Sequence, residues 1–243
     1  LLSLSRALAA YLLSLVFAIA YGSWAARDRR AERVLVPLLD VLQSVPVLGF
    51  MPAFVLALVG LFPGSSAGLE LASILMIFTG QAWNMAFSYH QSVKDLPPVL
   101  VEVSTVLRFG ALRRLRWLEL PAAAIGLVWN SMMSMAGGWF FLMVSEAFVL
   151  GDRDFRLPGL GAYMSVAAAR GDGRAMVASV IAMTVLIVAL DQLLWRPLVA
   201  WAQRFRLEEG GEAAPPRSWF FELLRHAWPG TLVRARRKAA FLR

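Results

Sequence analysis

Five apolar runs divide the chain, at 8–26, 47–62, 71–89, 122–150 and 175–195, each bounded by arginines, prolines or a turn-forming stretch. A helix needs roughly 20 apolar residues to cross about 30 Å of hydrocarbon, so most of these runs have the length of a membrane span. The run at 47–62 is short and crosses only if it is little tilted or shielded by its neighbours. The pattern predicts an all-α, polytopic membrane protein with about five transmembrane helices.

The residues between the runs set the orientation. Arg27, Arg29, Arg30 and Arg33, diluted by Asp28 and Glu32, mark a cytoplasmic exit after the first run. Pro37, Pro46 and Pro52 then break what could have been one long helix, leaving 34–44 as a short helix near the inner surface. Pro63-Gly64-Ser65-Ser66 is an uncharged turn. Segment 151–174 sets Asp152, Asp154 and Asp172 against Arg153, Arg156, Arg170 and Arg174, a balance expected of an external loop. By this count the first residues lie outside and the carboxyl end inside.

Segment 102–121, EVSTVLRFGALRRLRWLELP, lies between the third and fourth runs. Val103, Val106, Leu107 and Gly110 fall at i, i+3, i+4 and i+7, the spacing of one helical face. Arg108, Arg113, Arg114 and Arg116 would be excluded from hydrocarbon and accepted on the cytoplasmic side. Hydropathy and charge alone therefore make this a cytoplasmic loop.

Of the 243 residues, 59% are hydrophobic and 16% charged, against about 25% charged in ordinary soluble domains. The net charge of +8 fits inner-leaflet loops and lipid better than nucleic acid. Lys94 and Lys238 are the two lysines and neither follows a glycine, so the GxxxxGK[ST] phosphate loop is absent and ATP would have to be bound elsewhere. There is no cysteine, hence neither disulfide nor thiolate ligand. His90 and His226 lack acidic neighbours at metal-ligand spacing, which predicts no metal site. The chain opens at Leu1 rather than Met, leaving room for an upstream membrane helix or targeting segment.

Polar residues inside spans are costly and are read as functional first. Gln81, Asn84 and Ser88 form a stripe on the third span. Gly126, Asn130, Ser134 and Gly138 recur every four residues on the fourth, with a bend expected at Gly137-Gly138 beside Trp139. Both stripes fit either a substrate path, whose amide and hydroxyl donors suit an oxyanion, or close helix packing. Glu146 and Asp191 lie near span ends, where a cap or an interhelical hydrogen bond suits them better than proton coupling. Trp24, Trp117 and Trp195 fit an interfacial aromatic belt.

Segment 102–121 also resembles the EAA signature of permease subunits of bacterial binding-protein-dependent ABC importers: Glu-Ala-Ala, three residues, Gly, nine residues, Ile, one residue, Leu-Pro. Glu102 matches the Glu, Val103 and Ser104 replace the alanines, Leu118 stands for Ile, and Leu120-Pro121 match the ending. Arg108 stands where the family has Gly, and Gly110 follows two places later. The resemblance extends over roughly 37–201 and is closest to the nitrate, sulfonate, taurine and bicarbonate group, through VLQSVPVLGFMP at 41–52 and GDRDFRLPGLG at 151–161. It implies the type I importer permease fold, with a coupling helix inside a 95–121 loop that docks on a separate ATPase subunit. It further implies a second permease half, an external solute-binding protein and a bacterial inner-membrane location. The substrate implied by this analogy is a small anion or sulfonate-like solute.

An ion-coupled secondary transporter is the alternative and would need buried carboxylates or paired interrupted helices near the bilayer middle. A membrane enzyme would need a catalytic constellation that these residues do not form. Beyond a transmembrane domain at 1–206, segment 207–217 has the composition of a linker, and 218–243 reads as a basic amphipathic tail on the inner leaflet. In some relatives with two fused permease halves, this tail resembles the connector.

Overall fold

The computed structural model describes residues 1–150 and 153–205. The expected linker and tail, with His226, lie outside the described residues. Ten helices and one hairpin follow in order: α1 (Leu2–Arg27), α2 (Arg29–Ser44), α3 (Val47–Leu61), α4 (Ala67–Lys94), α5 (Pro98–Val106), α6 (Ala111–Arg114), α7 (Leu120–Glu146), β1 (Ala147–Leu150), β2 (Arg153–Arg156), α8 (Leu160–Ala169), α9 (Gly173–Leu190) and α10 (Arg196–Ala202).

The bundle is built around α4, which packs between α1 and α7. Small residues make this possible. Ala10, Ser14, Ala18 and Gly22 repeat every four residues along the buried face of α1, the spacing that lets helix backbones approach closely. A Cβ on Gly22 would meet Tyr89 Cδ1 at 2.7 Å. Tyr89, Met85, Ala86 and Ala18 form the core at this level, and Ile77, Met135, Trp139 and Leu142 form it further along.

Among the described residues three helices are long and apolar enough to cross a membrane by length and composition, namely α1, the run Ala111–Glu146 that ends in α7, and Gly173–Phe205, which contains α9 and α10, with the bent α2–α3 pair a fourth if it is one broken span. The expected third span is α4, whose polar stripe lowers its hydropathy while α1 and α7 cover it on two sides. The short run at 47–62 is α3, joined to α2 at 91°. Of the three prolines expected to break this region, only Pro46 does. Pro37 and Pro52 sit inside α2 and α3, and α2 starts five residues earlier than expected because the Asp28 side chain accepts from the Arg30 N–H and caps it.

Two π-helical turns, Leu115–Glu119 and Asp191–Trp195, each precede an X-Pro pair. The proline ring crowds the carbonyl four residues back. The chain widens instead, and the N–H groups of Leu120 and Arg196 reach the carbonyls of Leu115 and Asp191. Helix α7 is continuous through Gly137-Gly138.

The expected external loop is more ordered than its composition suggests. The fourth span ends at Glu146, four residues early, and its expected last residues form β1, which pairs with β2 of the loop and stacks Phe148 on Phe155 ahead of α8. Trp24 and Trp117 are exposed, as a belt requires. Trp195 is not, being 5% exposed and edge-on to Tyr11 in the bundle.

Candidate functional site

Helix α5 starts on Pro98, whose missing N–H is no loss in a first turn. It stops at Val106, so Gly110 lies outside the helix that the spacing had extended to it. The stop is a Schellman turn: Arg108 takes φ 50°, its N–H donates to Thr105 O at 3.0 Å, and the Phe109 N–H donates to Ser104 O at 2.9 Å. Arg108 thus adopts the left-handed conformation at the motif's glycine position, whereas Gly110 is ordinary extended backbone at φ −66°. The apolar face of α5 is Val99, Val103, Val106 and Leu107, all exposed, with Glu102 exposed beside them. Ser104 is buried and donates to Val101 O. Leu118 and Leu120 pack against the α1–α4 core, and Pro121 follows at the start of α7.

Glu119, which the sequence reading passed over, fastens this segment to the bundle. Its fully buried carboxylate accepts from Arg27 Nη2 at 2.7 Å, Arg27 Nε at 3.0 Å, Arg114 Nε at 2.9 Å and the Tyr89 hydroxyl at 3.2 Å. The Ser23 hydroxyl donates to Tyr89 in turn. Beside this cluster Glu32 meets Lys94 at 2.9 Å and His90 at 3.3 Å. The Lys94 ammonium holds the Glu32 carboxyl below its ordinary range.

A second clamp closes the opposite end. Arg6, 3% exposed, donates from Nε and Nη2 to Glu70 at 2.5 and 2.7 Å, and from Nη1 to Glu146 at 2.6 Å and Pro158 O at 3.0 Å. Glu146 also accepts the Gly161 N–H at 2.8 Å, and Ser3 Oγ accepts the Leu160 N–H. A Cβ on Gly159 would lie 2.2 Å from both Glu146 oxygens. The Pro158-Gly159-Leu160-Gly161 segment therefore closes directly over this carboxylate. Twenty-one residues of helix separate Arg6 from Arg27, about 30 Å of rise, so the two clamps stand one hydrocarbon thickness apart. These buried carboxylates are held by arginines at the ends of the bundle, away from its middle. Asp191, at the far end of α9, pairs locally with Arg196.

The six polar candidates sort into two sets. Gln81 is fully buried. Its amide donates to Met135 Sδ, and a Cβ on Gly138 would meet its Nε2. Ser134 is buried in α7. Gln81 and Gly138 lie in the packing between α4 and α7. Asn84, Ser88 and Asn130 instead line an open groove of about 390 Å³ with Gln43, Gln91 and Asp95. An adjoining groove of about 560 Å³ shares Gln43 and Asn84 and reaches Thr79 and Trp83. Together they form a polar track down α4 from Thr79 to Asp95, about 24 Å long at 1.5 Å per residue. No arginine or lysine is among its lining residues. Among the described residues no cluster of metal-ligating side chains occurs.

Two inward-facing crystal forms of the MetNI methionine ABC transporter contain chains of the same fold. They match at TM-scores of 0.65 and 0.60 with 15% identity, covering 84% and 83% of this chain and 93% of theirs. The "putative aliphatic sulfonates transport permease protein SsuC" of Bacillus subtilis is 28% identical over 60% of this chain and 50% of its own length. The "glycine betaine transport system permease protein OpuAB" of the same organism is 24% identical over 79% of this chain and 62% of its own. The "bicarbonate transport system permease protein CmpB" of Synechococcus elongatus is 24% identical over 84% of this chain and 67% of its own. The chain thus spans half to two thirds of the length of the curated relatives it matches. With the apolar helices above, this is a multi-pass membrane protein, and since residues 18–194 match the family of binding-protein-dependent transport system inner membrane components, the chain belongs to that family.

Proposed function

We propose that this chain forms half of the translocation pathway of an ATP-driven importer. A separate ATPase subunit docks on α5, a second permease half completes the path, and an external binding protein delivers the solute. The carrying observation is the exposed Val99-Val103-Val106-Leu107 face, ended by the left-handed Arg108, in a segment whose far end is tied to α1 and α4 through Glu119. A short rigid helix with an unpartnered apolar face suits capture by a soluble motor, and its ion-paired root passes motion into the bundle as a rigid-body rotation. In this reading the Glu119 end and the carboxyl terminus face the cytoplasm, and the Glu146 end faces outward.

The solute passes along the track of Asn84, Ser88, Asn130 and Gln43. Amide and hydroxyl groups hold a small anion or sulfonate-like compound loosely, without the full countercharge that would slow its release. Names of relatives carry this substrate class: aliphatic sulfonates for one, bicarbonate for another.

Proteoliposomes holding this chain, its ATPase and its binding protein test the proposal. Uptake is expected to require ATP, and Glu102→Arg is expected to abolish co-purification with the ATPase while insertion is kept. Uptake driven by an ion gradient without the ATPase would overturn the reading.

A further inference from the structure

A third groove, of about 350 Å³, opens on the outer face of the bundle between α1, α7 and α10. Its walls are Leu15 and Ile19 from α1, Ala124, Leu127 and Val128 from α7, and Leu198 from α10. At one end the Tyr11 hydroxyl donates to Ser131 Oγ at 3.2 Å and closes it. At the other end stand Arg116 and Trp201. From Leu120 to Ser131 helix α7 rises about 16 Å, close to half of the roughly 30 Å hydrocarbon layer. The groove is therefore one leaflet deep, with its charged mouth level with the coupling segment.

The state of the neighbouring arginines makes this mouth distinctive. Arg114 is engaged by Glu119, and Arg113 lies over the Phe109 ring at 5.8 Å. Arg116 is exposed and has no carboxylate partner among the described residues. We propose that the groove is a binding site for an anionic phospholipid of that leaflet, one acyl chain lying along Ala124 and Leu127 and the phosphate meeting Arg116. Charge complementarity selects the headgroup, since a cation at the mouth of an apolar slot attracts an anionic lipid. Trp201 sits where an amphipathic ring favours the headgroup boundary.

The full chain, purified from mixed phosphatidylcholine and phosphatidylglycerol, is measured by native mass spectrometry for retained lipid. One tightly held phosphatidylglycerol per chain is expected. Arg116→Gln should lower the preference for phosphatidylglycerol over phosphatidylcholine roughly fivefold. Val128→Trp, which fills the slot, should remove the retained lipid of either kind, and Leu198→Trp does the same from the opposite wall should the first variant not fold. Unchanged retention and preference in Arg116→Gln and in whichever filling variant folds would overturn the assignment. So would finding the groove covered by a second copy of the chain, read from cross-links at Val128→Cys.

Discussion

Arg6 lies 2.6 Å from Glu146, although one sits in the first turns of α1 and the other ends α7. The pair is almost wholly out of solvent, at 3% and 0% exposure, and Glu70 shares the same guanidinium. Removing the cation leaves two carboxylates facing one another. Arg6→Leu should therefore cost about 3–5 kcal/mol. Glu146→Gln should cost less, about 1–2 kcal/mol, because Arg6 keeps Glu70 and the amide oxygen still accepts from Gly161. Denaturant unfolding in mixed micelles measures both, and equal losses would mean that charge plays no part in the clamp.

The loop over Glu146 depends on the lack of a side chain at Gly159. Its backbone is extended at φ 179° and open to any residue, so the constraint is steric: a Cβ would overlap the carboxylate. Gly159→Ala should lose about 2 kcal/mol and expose the loop to protease. Cleavage at the wild-type rate would show that the loop relaxes without harm.

Just past the end of α5, Arg108 bears a left-handed conformation that is strained for a residue with a Cβ. Arg108→Gly should stabilise the chain by about 1 kcal/mol and slow exchange of the Phe109 amide. Arg108→Val should do the reverse. Thermal unfolding with hydrogen exchange decides this, and faster Phe109 exchange in the glycine variant would contradict the turn.

Gln81 and Asn84 are three residues apart, yet Gln81 is buried against α7 and Asn84 lines the open groove. Gln81→Leu removes a buried amide from the α4–α7 contact and should lower the yield of folded protein. Asn84→Leu should leave yield unchanged and cut uptake about tenfold, a loss of about 1.4 kcal/mol at the track. Uptake and size-exclusion recovery, measured together, separate these. A drop in yield with Asn84→Leu would make that face packing surface.

The Arg108 turn is local, but the clamps join residues distant in sequence. Hydropathy, read locally, located α1, α7 and α9, and the arginines of 102–121 set that segment apart from the apolar runs on either side. Local patterns could not reveal the clamps, because Arg6 and Glu146 are 140 residues apart and Arg27 and Glu119 are 92 apart. Read alone, Arg27 is a marker of orientation and Arg6 a charge outside the first apolar run. Trp195, taken for an interfacial residue, proved to be core because α1 offers Tyr11 across from it.

By itself, the sequence determined where the chain is apolar enough to enter a membrane, which loop carries the arginines, and which polar residues share a helix face. Each follows from the transfer cost of a residue or from spacing along one helix. Only the tertiary structure decided which polar residues face the track and which are packed away, and which charges are neutralised inside the bundle. A buried charge is tolerated only through its partner, and a stripe of small polar residues becomes path or packing only when another helix covers it or leaves it open.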